Sequence, residues 1–357
     1  MLNLQKIRNL IDEIDGEILG LLNKRMELAL RTTKLKDAVL DAEREKQVLD
    51  EVARRSRDYN PLVPDDVIRS IYGEIIKASR GIQEGKHRLI GFQGEHGAFG
   101  ELAARRFDPG LVTIPCVEFA DVFDGVEKGW LNFGVVPVEN SIGGAVVDVN
   151  ALMIQGGLGV TGAVKLRISH CLLTLPETHY QDIRVLYSHP QALSQCRNFI
   201  DRHQIEARPY YDTAGAARML AKEKPKRTAA IASELCAGLY NLEIVKDRIE
   251  DHPFNYTRFL VLSKEPQTGP ADMGSIIFST PHTAGALFGI LEIFARAHIN
   301  LTRIESFPYQ DDPSQCAFFL DFRHDDIRNA IDPVLEEVRK RTTTFRFLGF
   351  YKEEVCS

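Results

Sequence analysis

Apolar residues recur at helical spacing from the first turn of the chain. Ile7, Leu10, Ile11, Ile14, Ile18, Leu21 and Leu22 form one stripe, and no glycine or proline pair interrupts the pattern to about Val39. The spacing predicts a first helix of more than thirty residues. Such a helix is too long to bury its stripe inside a small globular monomer. It must lie along something, and the expected partner is its copy in another subunit. A second helix is expected over about Ala42 to Arg57, ended by Asn60-Pro61. A third follows from about Asp66 to Gln83, with Asp65 or Asp66 as its cap. Residues 1–84 thus read as all helix.

The bulk numbers set further bounds. A chain of 357 residues suggests two or three domains, and 44% hydrophobic with 26% charged residues can fill ordinary cores. The net charge of −6 gives no reason to expect nucleic acid or an anionic membrane as a partner. Six scattered cysteines without a CxxC pair argue for reduced thiols in the cytoplasm, not a disulfide framework or a zinc site. The ten histidines contain no HxxxH or HExxH pair, so neither a metal site nor a cofactor is expected. The N-terminus carries Lys6, Arg8, Asp12, Glu13 and Asp15 among its apolar positions, unlike a signal peptide, and no run is long enough to span a bilayer.

The texture changes after a linker at Gly81–Arg88. Short apolar runs (Leu89–Phe92, Phe133–Val138, Cys171–Leu175, Val185–Ser188, Ala229–Ala232, Phe259–Leu262) alternate with helical patterns, which indicates α/β architecture. A second linker, Glu265–Gly274, precedes a segment read as strand (Ser275–Ser279), helix (Ala284–Ala297), strand (Leu301–Pro308), strand (Gln315–Asp321), helix (Ile327–Arg339) and strand (Thr344–Tyr351). That βαββαβ order is ferredoxin-like. The expected domains are 1–84, 89–264 and 275–357.

On the first helix Arg25 and Lys36 are eleven positions apart and point within roughly 20° of one another. Arg8, seventeen positions before Arg25, lies about 100° away, so if all three serve one site Arg8 must come from a second chain. Ser79 and Gln83 form one i,i+4 polar patch on the third helix. Spacing alone also fits the solvated faces of an amphipathic bundle. Together with Asp41, Arg44 and Glu45, these residues resemble the pattern of the all-helical chorismate mutases along the whole segment. The resemblance implies an intertwined dimer in which one subunit's arginine enters the other's site. Chorismate is a dianion, which suits the forks of Arg8 and Arg25. Its rearrangement needs a held conformer and a donor at the ether oxygen, roles expected of Lys36 and Gln83. Glu45, with Asp41, Arg44 and Ser79, is expected to position the ring hydroxyl and its neighbours.

In the α/β segment, Gly94–Gly100 follows the first strand and opens a helix whose start suits a carboxylate, although a plain strand-to-helix turn reads equally from the residues. Glu139-Asn140-Ser141 is either a site element or a helix N-cap. GxxGAF, VPVENS, HCLL, YSHPQ, the Thr213-Ala214 turn and NYTRF follow in the order of the prephenate dehydratases, which residues 89–264 resemble. That family has two α/β lobes, like a periplasmic binding protein, here expected at 89–165 plus the end of the domain and at 166–245. The resemblance makes Thr257 the residue most tied to catalysis, with Arg258 beside it. It places Glu139, Asn140, Ser141, Ser188, His189, Gln191, Thr213 and Asn255 around the cleft. His189 is a candidate acid or a structural histidine. Where the family usually has a tyrosine-serine pair, this chain has Phe99-Gly100.

Residues 275–357 resemble the ACT domain attached to such dehydratases, through Gly285-Ala286-Leu287, Asn300-Leu301 and Glu305-Ser306. In those enzymes L-phenylalanine binds between two such domains, and the resemblance implies feedback inhibition. Phe307 stands where the family usually has arginine. The expectation is a homodimeric or homotetrameric bifunctional chorismate mutase/prephenate dehydratase. Its alternatives are an arogenate dehydratase with a mutase domain, and a dehydratase whose helical domain only dimerises.

Overall fold

The computed structural model describes residues 4–35, 40–58, 62–265, 269–308, 316–324 and 331–356. The chain divides into two compact units, Met1–His87 and Arg88–Ser357.

The first unit comprises α1 (Leu4–Thr32), α2 (Ala42–Asp58) and α3 (Asp65–Glu84). Helix α1 has 29 residues and ends earlier than the apolar spacing suggests. The hydroxyls of Thr32 and Thr33 donate to Ala29 O and Leu30 O, so side chains there compete with the amides for the last carbonyls. Lys36 and Val39 lie outside the described residues. Neither Asp65 nor Asp66 is the cap of α3: Pro64 holds that position, and both acids sit in the first turn, where they complement the helix dipole. Few side chains in this unit are buried, chiefly Leu30, Ala53, Ile76 and Ser79. The stripe of Ile7, Leu10, Ile11, Ile14 and Ile18 is about half exposed along α1.

In the second unit, chain order gives β1 (Leu89–Gln93), α4 (Phe99–Phe107), β2 (Val112–Cys116), α5 (Phe119–Glu127), β3 (Phe133–Asn140), β4 (Gly144–Ala145), α6 (Val147–Gln155) and β5 (Gly159–Arg167). Next come β6 (Cys171–Thr174), β7 (Val185–Ser188), α7 (Pro190–Gln195), α8 (Arg197–His203), β8 (Glu206–Pro209), α9 (Thr213–Glu223), β9 (Thr228–Ala232), α10 (Glu234–Tyr240) and β10 (Glu243–Lys246). Then follow β11 (Tyr256–Ser263), β12 (Met273–Ser279), α11 (Ala286–Arg296), β13 (Asn300–Pro308), β14 (Cys316–Arg323), α12 (Asp332–Arg341), β15 (Thr344–Tyr351) and β16 (Glu353–Cys356).

These strands make three sheets. The first lobe has the order β16-β5-β11-β3-β1-β2, with β4 on β3; the second lobe has β10-β6-β9-β7-β8. Strand β1 runs parallel to β2 and β3 and is buried nearly throughout, which is why Leu89–Phe92 reads as a continuous apolar run. Two crossovers join the lobes, 168–170 and 247–255, and they bond to each other through Ile168 N to Asn255 O and Ile249 N to His170 O.

The third sheet, β13-β14-β12-β15, is antiparallel throughout and completes a βαββαβ ferredoxin-like unit. Ile276, Phe278, Leu320 and Phe322 pack one face against Ile290, Phe294 and Val338 of α11 and α12. After β15 the chain leaves this sheet, and β16 pairs parallel with β5 of the first lobe. Phe294 is fully buried with its ring 5.3 Å from that of Phe322. Phe294→Ala is expected to cost about 3–5 kcal/mol, read as a lower urea midpoint; an unchanged midpoint would contradict this packing.

Candidate functional site

The helical unit encloses a cavity of about 320 Å³ lined by Arg25, Leu28, Ala29, Thr32, Asp41, Arg44, Glu45, Val48, Ile76, Ser79, Arg80 and Gln83. Arg25 Nη1 donates to Ser79 Oγ at 3.0 Å. Gln83 Nε2 donates to Ala29 O at 2.7 Å and to Thr32 Oγ1 at 2.9 Å. Arg80 lies 3.4 Å from Glu45, and Asp41 accepts the Arg44 amide at the start of α2. Six of the eight residues singled out in this segment therefore meet at one cavity. Arg8 does not: it is exposed on α1, about 25 Å along the axis from Arg25. Lys36 lies outside the described residues. Arg80 and Thr32 escaped the sequence reading because nothing in their spacing separates them from solvated helix residues.

The larger unit holds a cavity of about 400 Å³ whose polar lining is Gln93, Asn140, His170, His189, Gln191, Gln195, Tyr211, Asp212, Thr213 and Thr257. Its apolar wall includes Phe99, Phe119, Val135 and Phe259, with Gly100 beside Phe99. Residues come from both lobes and from one crossover. On β11, alternation turns Thr257 and Phe259 toward the cavity.

Asn140, at the end of β3, organises this wall. Its Nδ2 donates to Thr257 Oγ1 at 2.9 Å and to Asn255 Oδ1 at 2.8 Å, while its Oδ1 accepts the Ile142 and Gly143 amides. Asn255 in turn donates to Gln195 Oε1 at 3.1 Å, which is 2.9 Å from His170 Nε2. A continuous hydrogen-bonded chain therefore runs from Thr257 in the first lobe to Gln195 in the second. His170 is buried, and burial holds its pKa down, against the opposing influences of Gln195 and Glu250. Burial also pushes Asp212 up from the ordinary carboxylate value, although its Oδ1 caps α9 through the Gly215 amide.

Five expected cleft residues stand elsewhere. Ser188 is fully buried with its hydroxyl donating to Ile231 O, a strand-end tie of β7 to β9. Ser141 bonds Phe254 O and receives the Tyr256 amide, closing the turn after β3. Glu139 is partly exposed near Arg303. Arg258 faces away from the cavity, as strand alternation requires of the neighbour of Thr257. Glu139-Asn140-Ser141 is not a helix cap either, since α6 starts at Val147. Asn255 sits behind Asn140, fully buried. His189 caps α7, its Nδ1 accepting the Gln191 amide at 3.2 Å.

In the glycine turn, the Gly97 amide is already taken by Glu101 Oε2 at 2.7 Å, so the chain supplies its own carboxylate there. Gly97 has φ +94°, and a Cβ would meet Cys236 Sγ at 2.4 Å across the lobes, so only glycine fits. Of the C-terminal residues singled out, Gly285 caps α11, Ala286 and Leu287 begin it, and Asn300, Leu301, Glu305 and Ser306 lie on β13, an edge strand.

A helical unit with a cation-lined polar cavity, followed by a two-lobed α/β unit with a second cavity and a ferredoxin-like tail, defines a two-site enzyme of small polar metabolites. The chorismate mutase type II family matches residues 7–84, and the prephenate dehydratase family residues 90–267. A bifunctional chorismate mutase/prephenate dehydratase of Aquifex aeolicus is 32% identical over 361 residues, covering 98% of each chain. An arogenate dehydratase/prephenate dehydratase of Arabidopsis thaliana is 35% identical over 76% of this chain and 75% of its own. Among solved structures, the prephenate dehydratase of Arthrobacter aurescens in complex with L-Phe has a TM-score of 0.68 at 28% identity, over 74% of this chain and 89% of that one. The chain belongs to the bifunctional chorismate mutase/prephenate dehydratase family.

Beside the cavity, burial alone would raise Glu101, but hydrogen bonds from His96, the Gly97 amide and Arg105 outweigh it and hold the pKa at about 2, against an ordinary 4.5. A depressed carboxylate stabilises the fold fully above its unfolded value and loses that contribution as pH falls. The stability difference between wild type and Glu101→Gln is therefore expected to shrink as pH falls from 4.5 to about 2. A difference that stays constant over this range, measured by urea unfolding, would contradict the assignment.

Proposed function

We infer that the helical unit rearranges chorismate to prephenate and that the two-lobed unit converts prephenate to phenylpyruvate, releasing CO₂ and water. The observation that carries the second activity is the Asn140–Thr257 hydrogen bond. Asn140 donates to Thr257 Oγ1, so the threonine's own hydrogen is left to donate into the cavity. There it meets the departing C4 hydroxyl as the ring carboxylate leaves and the ring becomes aromatic. No lysine or arginine is among the described lining residues. The substrate's carboxylates are met instead by neutral donors such as Gln191 and Gln93, and by the starts of α4 and α9 at Phe99-Gly100 and Thr213. His189 accepts the Gln191 amide at Nδ1 to cap α7 and turns its Nε2 to the substrate.

In the helical unit, Arg25 and Arg44 meet the carboxylates from one chain, and Arg8 arrives from a second. The apolar stripe along α1 supports that second copy, because it stays about half exposed against the described residues of its own unit. Gln83 and Lys36 serve the ether oxygen. Gln83 reaches it by exchanging Thr32 for the substrate. Glu45, held by Arg80, positions the ring hydroxyl. The C-terminal segment binds L-phenylalanine between two copies, through Gly285, Ala286, Leu287, Asn300, Leu301, Glu305 and Ser306, and inhibits the dehydratase. Supporting this, the outer edge of β13 has no strand partner among the described residues.

A second reading, arogenate as the dehydratase substrate, is favoured by the Asp212 carboxylate in the cavity wall, which can pair with arogenate's ammonium group. Comparing turnover of the two substrates separates these readings.

Thr257→Ala is expected to lower dehydratase kcat/KM by about 10²–10³-fold, or about 3–4 kcal/mol, with mutase activity unchanged. A loss under threefold would exclude the role. Gln83→Ala should reduce mutase kcat by at least about 10²-fold while prephenate turnover persists. Near-normal chorismate consumption in that variant would sink the mutase assignment.

A further inference from the structure

Arg258, between Thr257 and Phe259 on β11, is buried on the far side of the strand from the cavity. Its Nε donates to Glu353 Oε1 at 2.5 Å, its Nη1 to Asp321 Oδ2, and its Nη2 to the Tyr351 hydroxyl at 3.0 Å. Every partner belongs to the C-terminal segment: Asp321 to β14, Tyr351 to β15 and Glu353 to β16. Those partners are themselves fixed. Ser275 on β12 donates to Asp321 Oδ1 and lies 2.6 Å from the Tyr351 hydroxyl, and Arg323 pairs with Glu353 at 3.0 Å.

The same sheet also holds the helix at the cavity's edge. Arg303 on β13 donates to Asn150 Oδ1 of α6 at 2.8 Å, and Arg346 on β15 donates to the carbonyls of Met153 and Gly156 at the end of α6. Val146, the residue before α6, lines the cavity. The C-terminal sheet thus grips two elements that end in the catalytic wall.

A buried cluster of two carboxylates and a guanidinium is weak evidence for stability, because apolar side chains of similar volume would serve as well. What such a cluster adds is a single allowed geometry: a planar fork with three assigned acceptors permits one strand position. We propose that Arg258 is a positioning residue for the dehydration. Through it the C-terminal domain sets where the adjacent Thr257 hydroxyl stands, and phenylalanine bound to that domain acts on the cleft by the same route. The proposal rests on the assignment of Thr257 made above.

The test uses the full chain, with Arg258→Lys and the milder Tyr351→Phe. Lysine keeps the charge but loses the fork. Misplacement of a catalytic group by about 1 Å can cost about 10²-fold, so Arg258→Lys is expected to lower dehydratase kcat by at least about tenfold. The KM for prephenate should stay within about threefold, since substrate anchors are untouched. Inhibition by phenylalanine should weaken in the same variant, and mutase activity should be unchanged. Tyr351→Phe should show the same split at about three- to fivefold, and it carries the test if Arg258→Lys does not fold. A kcat within twofold of wild type, a loss carried by KM, or full recovery of kcat on cooling would overturn the proposal and leave a merely structural cluster. Full activity in Arg258→Lys beside an inactive Thr257→Ala refutes this inference alone. An active Thr257→Ala refutes the reading beneath it.

Discussion

Strand β11 lies between β3 and β5 and meets a cavity on one face and a buried ion cluster on the other. It returns from the second lobe through the Asn255 crossover, so its position depends on how the two lobes are joined. On one side Thr257 and Phe259 enter the cavity; on the other Arg258 enters a buried ion cluster built by the C-terminal sheet. Asn140 on the neighbouring β3 fixes the threonine and, through Asn255 and Gln195, the second lobe. Losing Gln195 from that chain would take away the acceptor of the buried Asn255 amide, which is costly in a low-dielectric interior.

The helical unit obeys a different constraint. Its α1 is too long and too apolar on one stripe for the two short helices beside it to cover. Its cavity gathers Arg25, Arg44 and Arg80 but leaves Arg8 far along the helix. A second copy would cover the stripe and deliver the missing cation at once, so one requirement of packing and one of chemistry point to the same assembly. In the larger unit, by contrast, the cavity contains no cation among its described lining residues and offers amides, hydroxyls and helix starts. The two cavities therefore offer an anionic ligand two different kinds of lining.

How far this was legible from residues alone depends on the element. The three helices, the alternating strands and the βαββαβ tail follow from periodicity, because each buries one regular face. Gln83, Ser79, Arg25, Asn140, Gln191 and Thr257, which line the two cavities, belong to motifs with recognisable order. Arg258 was placed in the cleft by its neighbour, although strand alternation turns the two residues to opposite faces. Ser188 and Ser141 belong to conspicuous motifs but hold strand ends and turns. His170 opens the HCLL motif but lies in a crossover and reads from sequence only as a strand start, while Gln195, at the end of a six-residue helix, carries no signal; both line the cavity. Their meeting depends on the joining of two lobes. The β16 strand was invisible for the same reason: its partner β5 lies nearly two hundred residues earlier in the chain.

The most direct test of the whole account is to incubate the purified chain with chorismate, with and without phenylalanine, and to follow chorismate, prephenate and phenylpyruvate together. Transient prephenate followed by phenylpyruvate, with the second step suppressed by phenylalanine, is the predicted result. Prephenate that accumulates without phenylpyruvate would contradict it, leaving a mutase whose second cavity does not dehydrate prephenate.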